Sequence, residues 1–378
     1  MHINKNMNDS VSIESLTVSK TQNFIRYGAA LLFIVVGLLL PLFVRNPYYM
    51  SVLILMFMMG YLSTTWGIIG QTGQLSFGHS AFVGLGGYTS SILYVQLNLS
   101  PWFGMIIGGC VAVLFGIIIG MPTLRLRGVY FALATLAFAS ILQIVAKTTL
   151  KIGPIIIGAS PGIQMNLVNG GNAPAVFQFQ GKQGYYYVIF AMLVGVLFLS
   201  FMLNRARTGY YWRAIRNDED AAESLGINVA KYRIAGFLLS CFLTGMGGVF
   251  YAQYLLAIDP RTILGLDLSI EIAIMGIVGG WQSIFGPLIG SAVLVPINQF
   301  LRASLYNVPQ LTTVIYGLIL VFFMLFLPKG INGLIITGIN RLKAQFIRHK
   351  IVKSAKESQE ELGIQIDQER KGKKSGDT

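Results

Sequence analysis

Apolar residues run along most of this chain in blocks too long for the interior of a water-soluble domain. Between Arg45 and Arg125 there is no Lys, Arg, Asp or Glu. The stretches Gly128–Ala146, Gln183–Asn204, Ile234–Ile258 and Ala303–Pro328 carry no charge, and Leu268–Leu301 carries only Glu271. A hydrocarbon core of ~30 Å needs ~20 mostly apolar residues per helix, and these runs reach that length repeatedly. A buried soluble core would instead show polar faces at helical spacing. The expected spans are Tyr27–Val44, Tyr49–Ile69, Leu75–Gln96, Trp102–Met121, Gly128–Ala146, Tyr185–Leu203, Ile234–Leu256, Ile270–Gly280, Leu288–Leu301 and Leu311–Leu327. The fold class expected is therefore all-α, a polytopic membrane protein of about ten transmembrane helices. The count falls to eight or nine if the glycine-rich third span or the short eighth and ninth are broken or re-entrant, as is tolerated where backbone is buried in protein.

Composition sharpens this picture. Only 11% of the 378 residues are charged and 54% are hydrophobic, against ~25% charged in ordinary soluble domains. The net charge of +13 does not point to nucleic acid once its distribution is read. With the N-terminus inside, the inner segments before the tail hold Lys5, Lys20, Arg26, Arg125, Arg127, Arg205, Arg207, Arg213, Arg216, Lys231 and Arg233. The outer segments hold Arg45, Lys147, Lys151, Lys182, Arg261 and Arg302. Lys and Arg concentrate on the cytoplasmic side of membrane proteins. The expectation is a multi-pass plasma-membrane protein with both termini cytoplasmic. Residues 1–26 form a polar N-terminal segment without the features of a cleaved leader. Residues 27–328 form the membrane domain, and residues 329–378 a charged tail. Cys110 and Cys241 both lie in apolar spans, which argues against a disulfide framework.

Several chemistries lack their residues. There is no G-x-x-x-x-G-K-[ST] phosphate loop, and no nucleophile elbow. His2, His79 and His349 lie far apart with no metal-ligand spacing. The expectation is a non-enzyme with no metal and no cofactor, and hence a transporter whose energy source must be found elsewhere. The loop 204–233 is the informative segment. From Asp218 to Leu225 it reads as a short helix, with acidic residues at the positive dipole end and Gly226 where a C-terminal cap belongs. Ala221 and Ala222 offer a bare surface suited to a partner's grip; the alternative is a solvated basic loop that only sets topology.

Asp220-Ala221-Ala222-x-x-x-Gly226 resembles the E-A-A-x-x-x-G signature of permeases in binding-protein-dependent ABC importers, with Asp in place of Glu. Three segments together resemble the branched-chain amino acid permease family: Gly70–Phe82, Arg213–Gly226, and Ser269–Ile272 through Gly279–Pro287. Their order and spacing match over about Tyr49–Pro328, although the I-x-L-P that follows the broader signature is absent. The resemblance implies a permease that pairs with a second homologous permease subunit and with two ATP-binding subunits. It also implies an extracytoplasmic binding protein that delivers solute. Asp218, Asp220, Ala221, Ala222 and Gly226 would then couple ATP-driven motion to alternating access.

Candidates for the solute pathway are Gln74, Ser76, Gly78, His79 and Glu271, because ionisable residues within membrane spans are costly and usually functional. For His79 a hydrogen-bonded packing role competes with solute contact, and for Glu271 a helix-capping role does. Loop 147–184 is either a docking surface for the binding protein or a passive lid. Arg125 and Arg127 read as topology anchors. A stand-alone secondary transporter, a membrane scaffold, and a permease for urea or short amides are the competing functions.

Overall fold

The computed structural model describes residues 28, 32–152, 155–327, 330–334 and 337. The expected terminal segments 1–26 and 329–378 lie almost wholly outside these. The chain forms α1 (Leu32–Phe43), α2 (Pro47–Gly70), α3 (His79–Leu97), α4 (Pro101–Thr123), α5 (Val129–Thr148), α6 (Lys182–Arg205), α7 (Arg207–Asn217) and α8 (Glu219–Ser224). There follow α9 (Val229–Leu255), α10 (Pro260–Ile263), α11 (Leu266–Gly279), α12 (Gly286–Ser304) and α13 (Pro309–Phe326). Among the described residues two tiny antiparallel sheets complete it, β1 (Lys151–Ile152) with β2 (Ile155–Ile156) and β3 (Ile163–Gln164) with β4 (Ala257–Ile258).

Each expected span has a helical counterpart. Among the described residues seven stretches are long and apolar enough to cross a membrane, α10 and α11 counting together as Pro260–Gly279. Glycine, serine and tyrosine in α3, and Asn298, Gln299 and Arg302 in α12, lower the apolarity of these 19-residue helices. Local chemistry sets the ends. Proline occupies the first turn of α2, α4, α12 and α13, where its missing N–H costs nothing. The Asn46 side chain accepts from the Tyr48 N–H at 2.9 Å at the start of α2, and that of Asn228 from the Lys231 N–H at 2.9 Å at the start of α9. Two expected boundaries are corrected. The third span begins at His79, because Gln71–Gly78 is irregular. The eighth begins at Pro260, where Asp259 caps the N–H groups of Arg261 and Thr262.

Glycine brings α3, α4 and α9 together. A Cβ at Gly86 would lie 2.0 Å from the Gly245 carbonyl oxygen, and one at Gly248 would lie 1.9 Å from that of Val83. Only hydrogen fits between these backbones, the mode by which membrane helices gain contact without a hydrophobic driving force. The α11–α12 hairpin uses the same device: a Cβ at Gly290 would meet the Met275 carbonyl at 2.0 Å. Helix α2 lies at the centre, with Ile54, Leu62, Trp66 and Ile69 fully buried. Large apolar side chains cover the outside, among them Phe103, Ile118, Leu133 and Phe322. This is the surface a bilayer requires.

The loops gather at two ends. At one end Arg127 meets Glu219, Arg216 lies over Trp281 and Gly330 abuts Gly280. At the other, Gln143 donates to the Pro260 carbonyl and Trp102 to that of Pro174. There the loop 155–181 is tied down: Phe177 is fully buried among Trp102, Tyr185 and Phe250. Buried Gln178 accepts from the Val168 N–H at 2.8 Å and donates to the Asn166 carbonyl at 3.0 Å. The loop is a fixed cap.

Candidate functional site

At the basic end the chain turns three times between α6 and α9. Gly209 allows the first turn, since a Cβ there would meet the Leu203 carbonyl oxygen at 2.5 Å. Helix α7 then buries Trp212 and Ile215, and Trp212 Nε1 donates to the Tyr232 carbonyl at 3.0 Å. The Asp218 side chain accepts from the Ala221 N–H at 3.0 Å and starts α8, a cap worth ~1 kcal/mol. Gly226, with φ +81°, ends it. The Ile227 N–H reaches the Ala222 carbonyl at 3.1 Å and the Gly226 N–H that of Glu223 at 2.9 Å. This pair of bonds is the Schellman motif. The helix expected over Asp218–Leu225 is thus Glu219–Ser224 with its caps.

The two alanines do not share a face. Ala222 is buried against Ile215 and Val229, with Ile227 packed beside it, whereas Ala221 is exposed. The bare surface expected of both is corrected to Ala221 with Leu225, which is 81% exposed. The Schellman geometry turns Ala222 inward, because its carbonyl and methyl both engage Ile227.

The loop is also pinned by charge. Arg233, at the start of α9 and only 7% exposed, grips Glu219 with two hydrogen bonds of 2.7 and 2.8 Å. Arg127, in the α4–α5 turn, reaches the same carboxylate at 3.4 Å and Asp220 at 3.1 Å. The Asp220 bond and the nearby Glu219 charge push the Arg127 guanidinium above its ordinary range. Burial and the neighbouring Arg213 lower that of Arg216. Sequence reading passed over Glu219 and Arg233. The available signal was an arginine set into the opening of an apolar helix, which needs a partner.

Gln74, Ser76, Gly78 and His79 come together where α2 hands over to α3. All four are buried. Trp66 Nε1 donates to the Ser76 carbonyl at 2.7 Å, and the Phe77 N–H to Thr135 Oγ1 at 3.1 Å. A Cβ at Gly78 would strike the Thr135 carbonyl at 2.5 Å. The Gln74 amide faces the carbonyls of Leu124 and Leu126 at 3.5 and 3.4 Å. His79 Nε2 lies 2.8 Å from Ser240 Oγ, and the Ser240 hydroxyl donates to the Thr65 carbonyl at 2.8 Å. The serine proton is thereby used, so Nε2 carries the imidazole hydrogen. Nδ1 lies 3.2 Å from Ser76 Oγ. Both ring nitrogens thus have partners, and the imidazole ties α2, α3 and α9 together.

Glu271 stands apart from this group. Two residues before it Ser269 bonds Ser80, with Oγ accepting from the Ser80 N–H at 2.7 Å. Glu271 points instead toward α12, where Asn298 Nδ2 donates to it at 3.2 Å and Arg302 Nε donates to Asn298 Oδ1 at 3.2 Å. The five pathway candidates therefore form two places in the fold.

Helices of this length, glycine-packed and carrying a capped, ion-paired helical knob at the basic end, define a polytopic membrane protein. The family model described as the branched-chain amino acid transport system permease component matches residues 48–324. The chain belongs to this family. It is 28% identical over 280 residues to the high-affinity branched-chain amino acid transport system permease protein LivM of Escherichia coli (strain K12), covering 70% of this chain and 65% of LivM. It is 28% identical over 264 residues to the nucleoside ABC transporter permease protein NupC of Lactococcus lactis subsp. cremoris (66% of this chain, 80% of NupC). It is 28% identical over 263 residues to the probable branched-chain amino acid transport permease protein LivH of Methanocaldococcus jannaschii (66% and 81%). The chain thus spans just under two thirds of the length of LivM.

Proposed function

We propose that this chain is the membrane-embedded permease subunit of an ABC importer for branched-chain amino acids, energised by separate ATP-binding subunits. The observation that carries the reading is α8, a six-residue helix capped at both ends and clamped through Glu219. It presents exposed Ala221 and Leu225 at the end where the loop arginines gather. A partner pushing on so rigid a knob moves α9 and the α4–α5 turn with it, through Arg233 and Arg127. Coupling of this kind works only by differential binding to two conformations.

In this reading the arginine-rich end faces the cytoplasm, in keeping with the positive-inside rule. Both termini lie on that side of the cell membrane. Two ATP-binding subunits dock there on this chain and on a second, homologous permease subunit, and an extracytoplasmic binding protein seats on the fixed cap 155–181. Asp218 and Gly226 shape the coupling helix, Asp220 and Ala222 seat it, and Ala221 belongs to the docking face. Solute identity rests on the family match and on the printed function of LivM; an importer for another small solute, such as urea or a short amide, is the rival. The full burial of His79 and the partners at both its ring nitrogens favour a packing role.

The test is co-expression with the neighbouring gene products and reconstitution into vesicles. ATP-dependent uptake of L-leucine that needs a co-purifying ATPase and a binding protein supports the proposal. Uptake by the purified chain alone, without ATP, would refute it.

A further inference from the structure

We infer that the cavity between α11, α12 and α13 is a subsite for a zwitterionic amino acid at the end of the permease opposite α8. The inference rests on the importer reading and gives the solute a place within it. The cavity, of about 610 Å³, is walled on α11 by Asp267 and Glu271, one helical turn apart, and on α12 by Asn298 and Arg302. Residues four apart share a helix face, so each helix offers one chemical character: acid on α11, amide and guanidinium on α12.

The acid and the base do not neutralise each other directly. Asn298 stands between them, donating to Glu271 and accepting from Arg302, both at 3.2 Å. No ion pair within 4.0 Å joins them; among the described residues such pairs involve only Arg127 and Arg233. Arg302 sits at the exposed rim and spends only Nε on Asn298, which leaves both terminal NH2 groups for a ligand. Such a fork matches a carboxylate held by two hydrogen bonds. Across the cavity the second oxygen of Glu271 remains for an ammonium group.

The third wall supplies an independent sign. Thr312 on α13 lines the same cavity and is 6% exposed, yet its Oγ1 has no hydrogen-bond partner. A helical threonine ordinarily returns its hydroxyl to the preceding turn, as Thr64 does to the Gly60 carbonyl at 2.7 Å. A buried hydroxyl left open beside a polar cavity calls for a partner from within it. Ile274 and Leu320, on the apolar remainder of the wall, suit an aliphatic side chain. An ammonium, a carboxylate and a branched alkyl group together make an aliphatic amino acid.

The test uses the importer complex in lipid nanodiscs, labelled with photo-leucine, the diazirine analogue of L-leucine, with ATPase activity measured on the same sample. The expected result is label in peptides of α11 and α13, displaced by excess L-leucine. Glu271→Gln and Arg302→Gln should each lower labelling about tenfold, the loss of one charge-assisted hydrogen bond at about 1.4 kcal/mol per decade. Both variants should still co-purify with the ATP-binding subunits. Thr312→Val, which keeps the volume and removes the hydroxyl, covers any failure of the charge variants to fold and should lower labelling with normal assembly. Label that L-leucine does not displace, or that survives all three substitutions, overturns the subsite and leaves the importer reading intact. A wild-type complex without ATPase activity overturns both.

Discussion

Glu219→Ala is the substitution on which the description of α8 rests most heavily. The carboxylate holds Arg233 through two short bonds, and Arg233 is 7% exposed with its Nε already unpartnered. Removing one member of a buried pair costs about 3–5 kcal/mol, because the remaining charge is stranded. The Glu219 side chain is 19% exposed, which places the expected cost near the lower end, about 3 kcal/mol. At 1.4 kcal/mol per decade, the docked state of the loop should lose about a hundredfold in population against the detached one. Hydrogen–deuterium exchange of residues 217–233 in nanodiscs reads this directly: amides of α8 should exchange about a hundredfold faster. Arg127→Ala should change exchange little, because that side chain is 60% exposed and exposed pairs contribute little. Replacing both partners, Glu219→Ala with Arg233→Met, should recover most of the protection, since no unpaired charge remains. Unchanged exchange in Glu219→Ala, or a larger effect in Arg127→Ala, would refute this reasoning.

The two alanines should part company under the same substitution. Ala222→Arg has no room beside Ile215 and Val229 and should detach α8, seen as faster exchange, whereas Ala221→Arg should keep native exchange and lose the co-purifying ATPase. Gly226→Ala meets no atom within 4 Å but holds φ +81°, so its cost should be conformational alone, about 1–2 kcal/mol. Gly226→Asn should be milder, since asparagine tolerates that region; the exchange rate of Ile227 checks both. Gly248→Ala sets a methyl 1.9 Å from the Val83 carbonyl oxygen, forces α9 from α3, and should abolish a monodisperse peak in size-exclusion chromatography.

What was legible in the sequence was whatever depends on near neighbours. The apolar blocks between charges located the spans. The acidic first turn from Asp218 and the cap position of Gly226 announced α8. What was not legible depends on elements that meet only in three dimensions. Leu75–Gln96 looks like one apolar run, yet Gln71–Gly78 stays irregular because Thr135 of α5 and Trp66 of α2 take its backbone bonds. Ala221 and Ala222 look alike until Ile215 and Val229, from helices on either side, choose which is covered. Glu219 and Arg233 lie fourteen residues apart on separate helices, and meet because α8 folds back on α9. Glu271 was visible as a charge in an apolar run. Asn298, Arg302 and Thr312, which give it a setting, come from two further helices.

In the importer proposed above, α8 is the contact through which separate ATP-binding subunits drive this permease. That contact is tested most directly by placing the photo-crosslinker p-benzoylphenylalanine at Leu225, the outermost side chain of the knob, in the assembled complex. One crosslinked partner is expected, the ATP-binding subunit, with a yield that changes when ATP is added. Crosslinks to lipid or to the binding protein instead, with uptake that proceeds without ATP, would contradict it.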